Sequence, residues 1–117
     1  MHEFSIAEAV IEQVADEVRR AGSDGRVRQV SLAIGCLSGV HVDSLRFAFE
    51  ALAPGTLVDG AEWFIRQPRA AGHCLDCGAT FETDDFFAAC TQCAGGNVRV
   101  EGGRDMLLES IELDDGD

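Results

Sequence analysis

Two groups of residues in this chain have the types and spacing to hold metal ions. The larger lies in CLDCGATFETDDFFAACTQC, where Cys74 and Cys77 stand two residues apart, twelve residues follow, and Cys90 and Cys93 repeat the spacing. A C-x2-C turn brings two thiolates to one side of a tight turn, and a glycine behind the second cysteine, here Gly78, suits it. Two such knuckles face to face make a tetrahedral cage for Zn2+ at about 2.3 Å per sulfur. A closed four-sulfur site leaves no position open to substrate, so this metal is expected to be structural. Iron is chemically compatible with the same cage. A single C-x2-C can also serve as a redox dithiol, but that motif normally sits at a helix start, and the second pair is then unexplained.

The smaller group is Met1-His2-Glu3, at the head of MHEFSIAE. This stretch has no basic n-region, no unbroken apolar h-region and no small-residue cleavage site, so it is expected to belong to the mature protein with its α-amine free. An amine, a backbone amide and an imidazole within two residues can chelate one metal ion.

The elements that position these groups follow from periodicity. In SIAEAVIEQVADEVRRAG, Ala7, Val10, Ile11, Val14 and Val18 recur at helical spacing. Ser5 with Glu8 resembles a capping box, which predicts a helix start near Ile6, leaves Met1 to Glu3 as a short arm, and places the stop at Gly22. RQVSLAIG alternates through Val30, Leu32 and Ile34 and predicts a strand. A second helix is predicted over DSLRFAFEAL, capped by Asp43, with Leu45, Ala48, Phe49 and Leu52 as its apolar stripe and Pro54-Gly55 as its end. AEWFIR and RDMLLESIELD predict two further strands. Between Pro68 and Gly103 the periodicity disappears and glycine becomes frequent.

The expected fold class is α+β, with two helices on a small three-stranded mixed sheet and a four-cysteine zinc-ribbon domain inserted before the last strand. The expected domains are 1–69 plus 103–113, an insert over 70–102, and a disordered acidic tail over 114–117.

Composition narrows the partners. Lys plus Arg number 9 against 21 Asp plus Glu, a formal charge of −12 over 117 residues. That balance opposes nucleic-acid binding, which draws on cationic contacts to phosphate, and suits a protein that handles cations or docks on a basic partner. No apolar run approaches the ~20 residues of a membrane span. The five cysteines, an odd count, point to a reducing compartment and a cytoplasmic location.

Taken together, Met1-His2-Glu3, LAIGCLSGVHVDSLRFAFEAL, GTLVDGAEW, the two C-x2-C pairs and the closing IEL strand make the chain resemble the HypA family of nickel-insertion metallochaperones. The resemblance covers nearly the whole chain. It implies that His2 is a nickel ligand, completed by the Met1 amine and nearby backbone nitrogens and supported by Glu3, and that Cys74, Cys77, Cys90 and Cys93 hold zinc. It implies no enzymatic activity. The implied partners are a GTPase of the HypB type and the precursor of the nickel-iron hydrogenase large subunit, with the chain a monomer or weak homodimer. Nitrogen-rich square-planar or tetragonal sites suit Ni2+.

Five residues are left over. Cys36 is expected to be a small packing residue, His41 a surface histidine of the turn or else an accessory ligand, and His73 an ordinary loop histidine or else a substitute ligand if a thiolate is lost. Phe86 and Phe87 are expected to pack the insert or, if both are exposed, to mark a partner surface.

Overall fold

The computed structural model describes residues 2–114, with side chains from Glu3 onward. Helix α1 spans His2–Arg20, so it begins earlier than the Ser5/Glu8 pair predicts and takes up most of the expected arm. Two interactions favour the longer helix. Glu3 puts a carboxylate in the first turn, where the helix dipole stabilises it. The Phe4 ring meets Phe47 edge-on, with centroids 6.2 Å apart. Tertiary contact overrides the local start signal, and Ser5 becomes an exposed helical residue. At the other end, Gly22 is left-handed at φ 69°. Its amide donates to the Arg19 carbonyl and the Ser23 amide to that of Val18, which closes the helix in a Schellman arrangement.

Strand β1 (Arg26–Ile34) follows, then α2 (Val42–Leu52), β2 (Glu62–Arg66), β3 (Ala70–Cys74), β4 (Thr80–Thr83), β5 (Val98–Glu101) and β6 (Met106–Asp114). One three-stranded sheet has the order β2-β1-β6, so the last strand rejoins the first two around the cysteine-rich segment. Residues 115–117 of the acidic tail lie outside the described residues.

The chain divides into two compact units, Met1–Leu32 with Val40–Ile65 and Leu108–Asp117, and Ala33–Gly39 with Arg66–Leu107. In the first, α1 packs on α2. Ala7, Val10, Val14 and Val18 of α1 and Leu45, Ala48 and Phe49 of α2 are buried, as their spacing predicts. Phe49 also stacks on Trp63 of β2 at 3.7 Å between centroids. Asp43 is not the cap of α2. The N-cap is His41, whose side chain accepts from the Ser44 amide, while Asp43 supplies charge in the first turn.

The second unit holds a second sheet, of order β4-β3-β5, antiparallel throughout. These strands are absent from the sequence reading because each has only four or five residues and β3 reads AAGHC, with little β propensity. Cross-strand fit stabilises them. Gly72 pairs with Phe81, and a Cβ on Gly72 would lie 2.6 Å from that ring. The 33–39 segment enters the unit through its backbone: the amides of Gly35, Cys36 and Leu37 donate to the carbonyls of Asp105, Pro68 and Gly103 at 2.8, 3.0 and 2.6 Å. Only glycine serves at Gly35, where a Cβ would lie 2.2 Å from the Gly103 carbonyl.

Among the described residues, no helix is long and apolar enough to cross a membrane.

Candidate metal centre

The two C-x2-C segments fold into two turns of the same design. In the first, the Cys74 amide donates to the Ala79 carbonyl at 2.9 Å and the Gly78 amide to the Cys74 carbonyl at 3.0 Å. In the second, the Cys90 amide donates to the Gly95 carbonyl and the Ala94 amide to the Cys90 carbonyl, both at 2.9 Å. Each knuckle turns through a left-handed residue one place past its second cysteine. In the first that residue is Gly78 at φ 79°; in the second it is Ala94 at φ 60°.

The mismatch at Ala94 gives a direct prediction. A left-handed residue with a Cβ costs about 1–2 kcal/mol, partly offset by the extra unfolded-state freedom of glycine. Ala94→Gly is expected to stabilise the metal-loaded second unit by about 0.5–1 kcal/mol. Gly78→Ala, where a Cβ would meet nothing within 4 Å, is expected to destabilise it by a similar amount through backbone strain alone. Thermal melts of the two variants beside the parent would measure both.

The four sulfurs converge. Cys74 Sγ lies 3.7 Å from Cys93 Sγ and Cys77 Sγ lies 3.5 Å from Cys90 Sγ. All four ligand atoms fall within 4.8 Å of one another. A tetrahedron of thiolates about 2.3 Å from a central ion has edges of about 3.8 Å, so the donor set and its spacing fit a divalent ion. These separations far exceed a disulfide, and all four cysteines are free. Cys74 and Cys90, the first of each pair, are buried, while Cys77 and Cys93 are exposed.

Backbone amides point at the sulfurs as they would at thiolates. Cys90 Sγ accepts from the Cys93 amide at 3.4 Å and the Gln92 amide at 3.3 Å, and Cys74 Sγ from the Cys77 amide at 3.5 Å. The amides of Cys93 and Gln92 hold the Cys90 thiol down to about 6. At Cys77 the Ala79 amide lowers the pKa, but the neighbouring sulfurs of Cys90 and Cys74 outweigh it and push the group up to about 12. Four negative sulfurs cannot crowd together unaided. A dication at the centre removes that opposition and allows all four to ionise.

Cys36 stands outside this cluster, half-buried, with Sγ 3.8 Å from the Thr83 carbonyl. His73 lies on β3 next to Cys74, and its Nε2 is 3.5 Å from Glu101 on the neighbouring strand. Phe86 and Phe87 are both exposed, at 45% and 92%, the case expected of a partner surface, and the Arg104 guanidinium lies over the Phe86 ring at 4.9 Å from its centroid.

Of the other predicted group, Met1 lies outside the described residues and His2 is the first residue of α1. Glu3 is half-buried, and its Oε2 accepts from the His41 backbone amide at 3.2 Å. The sequence offers no signal for that contact, since residues 3 and 41 meet only through the packing of α1 on α2.

A four-thiol metal centre in one unit and a two-helix α+β unit beside it in the chain define a small metal-handling protein. The family model described as "Hydrogenase/urease nickel incorporation, metallochaperone, hypA" matches residues 1–113. The chain belongs to the HypA family. The hydrogenase maturation factor HypA of Chlorobaculum tepidum is 42% identical over 97% of this chain and all of that protein. That of Beijerinckia indica is 37% identical over 97% of this chain and 99% of its own length. The solution structure of the Ni metallochaperone HypA from Helicobacter pylori superposes with a TM-score of 0.65, covering 95% of this chain and 96% of that one. At 24% identity, that likeness is one of fold.

Proposed function

We propose that this chain is a nickel carrier that binds Ni(II) at its N-terminus and delivers it during maturation of nickel-iron hydrogenase. The observation that carries the reading is the family match over residues 1–113, which takes in Met1-His2-Glu3 and all four paired cysteines. The donor chemistry supports it. The amine, the His2 imidazole and the intervening amide form adjacent chelate rings of the nitrogen-rich kind that Ni(II) favours. Because α1 begins at His2, the amides of His2 and Glu3 fall in the first turn, where no carbonyl within the helix accepts from them. They can lose a proton to nickel without breaking a helical hydrogen bond.

Cys74, Cys77, Cys90 and Cys93 hold zinc in this reading, as a structural ion that fixes the two knuckles. The chain performs no catalysis of its own. Its partners are a GTPase of the HypB type and the hydrogenase large-subunit precursor, met in the cytoplasm, and its charge of −12 favours basic docking surfaces over nucleic acid.

Calorimetric titration of untagged protein with Ni2+ tests the assignment. The native chain is expected to bind one ion, and His2→Ala is expected to lose that binding while retaining the thiolate-bound metal. Equal nickel affinity in the two proteins would remove the N-terminus from the site.

A further inference from the structure

We propose that Asp76 and Asn97 form a clasp that holds the two cysteine knuckles together and slows loss of the ion bound between them, an inference that rests on the four-thiolate zinc reading above. The knuckles belong to different connections of the second sheet. The first joins β3 to β4, and the second lies between β4 and β5. Asn97, just ahead of β5, grips both residues that separate Cys74 from Cys77. The Leu75 amide donates to the Asn97 carbonyl at 2.9 Å, and Asn97 Nδ2 donates to Asp76 Oδ1 at 3.2 Å. A carboxylate only accepts, so the Asn97 side chain presents its NH2 to it.

The other carboxylate oxygen faces the second knuckle. A Cβ on Gly95 would lie 3.4 Å from Asp76 Oδ2 and 3.3 Å from Cys93 Sγ. A side chain of the first knuckle therefore reaches the backbone of the second, beside one of its sulfurs.

This placement bears on how an ion would leave. Cys74 and Cys90 are buried, whereas Cys77 and Cys93 are exposed. A competing ligand reaches the exposed pair first, and a thiolate is free of the ion only when its turn swings outward. Cys77 follows Asp76 directly, and Cys93 is the sulfur beside Gly95, so the clasp restrains the two corners at which release begins. Asp76 and Asn97 are themselves exposed, so their pairing acts on the opening of the cage more than on the folded core. A carrier of nickel has to release one ion and retain another. A clasped cage serves the second need.

The bond can be kept, broken and rebuilt, and zinc release reads each case. Every zinc-loaded protein is mixed with an excess of a chelator whose absorbance changes on binding zinc. Asp76→Asn leaves an oxygen to accept from Asn97 and is expected to release zinc near the parent's rate. Asp76→Ala removes the acceptor, and Asn97→Asp sets two carboxylates face to face; each is expected to release zinc about tenfold faster. Combining Asp76→Asn with Asn97→Asp exchanges the partners, restores a donor and an acceptor, and is expected to return the slow rate. Should Asp76→Ala purify empty, the exchanged pair beside Asn97→Asp alone still decides. Equal rates in every variant, or no rescue by the exchanged pair, overturn the clasp. Release from Asp76→Asn as fast as from Asp76→Ala overturns it too, since charge and not the hydrogen bond would then set the rate. A parent chain that binds no zinc overturns the four-thiolate reading itself.

Discussion

Cys90→Ala protein is expected to leave purification without zinc and with its second unit unfolded. Cys90 is the inner cysteine of its knuckle, buried, and its sulfur accepts from two backbone amides. Removing it takes away a ligand and leaves both donors facing a methyl group. The sheet of that unit consists of strands of four or five residues, too short to persist on their own pairing. Apparent binding energies of structural zinc are about 10–16 kcal/mol, more than such a unit could replace by packing. The outer position should behave differently. Cys77 is exposed, so in Cys77→Ala a water can take the vacant corner, and the expected result is weaker but measurable retention. The first unit has its own core in Val14, Leu45, Phe49 and Val58, all buried, and should keep its helices in both variants. Metal analysis with amide spectra of the two proteins decides the matter. Full zinc and full dispersion in Cys90→Ala would refute the four-thiolate cage.

A single residue added before Met1 should weaken Ni2+ binding by at least about 100-fold, or about 2.7 kcal/mol. The extension leaves the His2 imidazole intact but turns the terminal amine into an amide, which binds metal only after losing a proton held far more tightly. The same chemistry fixes the pH dependence. Metal and protons compete for the amine, with an ordinary pKa of about 7.7–8.0, and for the imidazole, at about 6.5. Affinity in the native chain should therefore fall as pH drops below about 8 and fall more steeply below about 6.5. The extended chain should lose the upper step. Zinc bound by the four cysteines should be retained in both at neutral pH. Titrations of native and extended protein between about pH 6 and 8.5 would resolve the two profiles. Coincident curves would mean that the amine is not a ligand.

Much of this architecture could be read from residue spacing. The stripes of both helices, the three strands of the first sheet and the cysteine cage follow from periods of 3.6 and 2 and from one repeated motif. What escaped was decided by residues distant in sequence. The start of α1 depends on Phe47, which lies 43 residues beyond Phe4. The 33–39 segment is held by carbonyls of Pro68, Gly103 and Asp105, and no pattern within IGCLSG announces them. The three short strands are defined by partners such as Gly72 and Phe81, whose fit appears only once they are paired. Residue preference favours Asp43 over His41 as the cap of α2, while the capping by His41 depends on the direction of one ring nitrogen.

Chain ends ordinarily fray, and a binding group carried on a frayed end loses conformational entropy each time it captures a ligand. Here the tether from Glu3 to the start of α2, reinforced by the aromatic pair one residue later, fixes the chain at its third and fourth positions. The proposed donors, the Met1 amine and the His2 imidazole, directly precede this anchored point in sequence. If they gather around an ion as proposed, much of the ordering this requires would be accomplished when the protein folds. On the proposed nickel-binding reading, the terminus would work as a preorganised chelator, whose affinity is set by the packing of two helices as well as by its donor atoms.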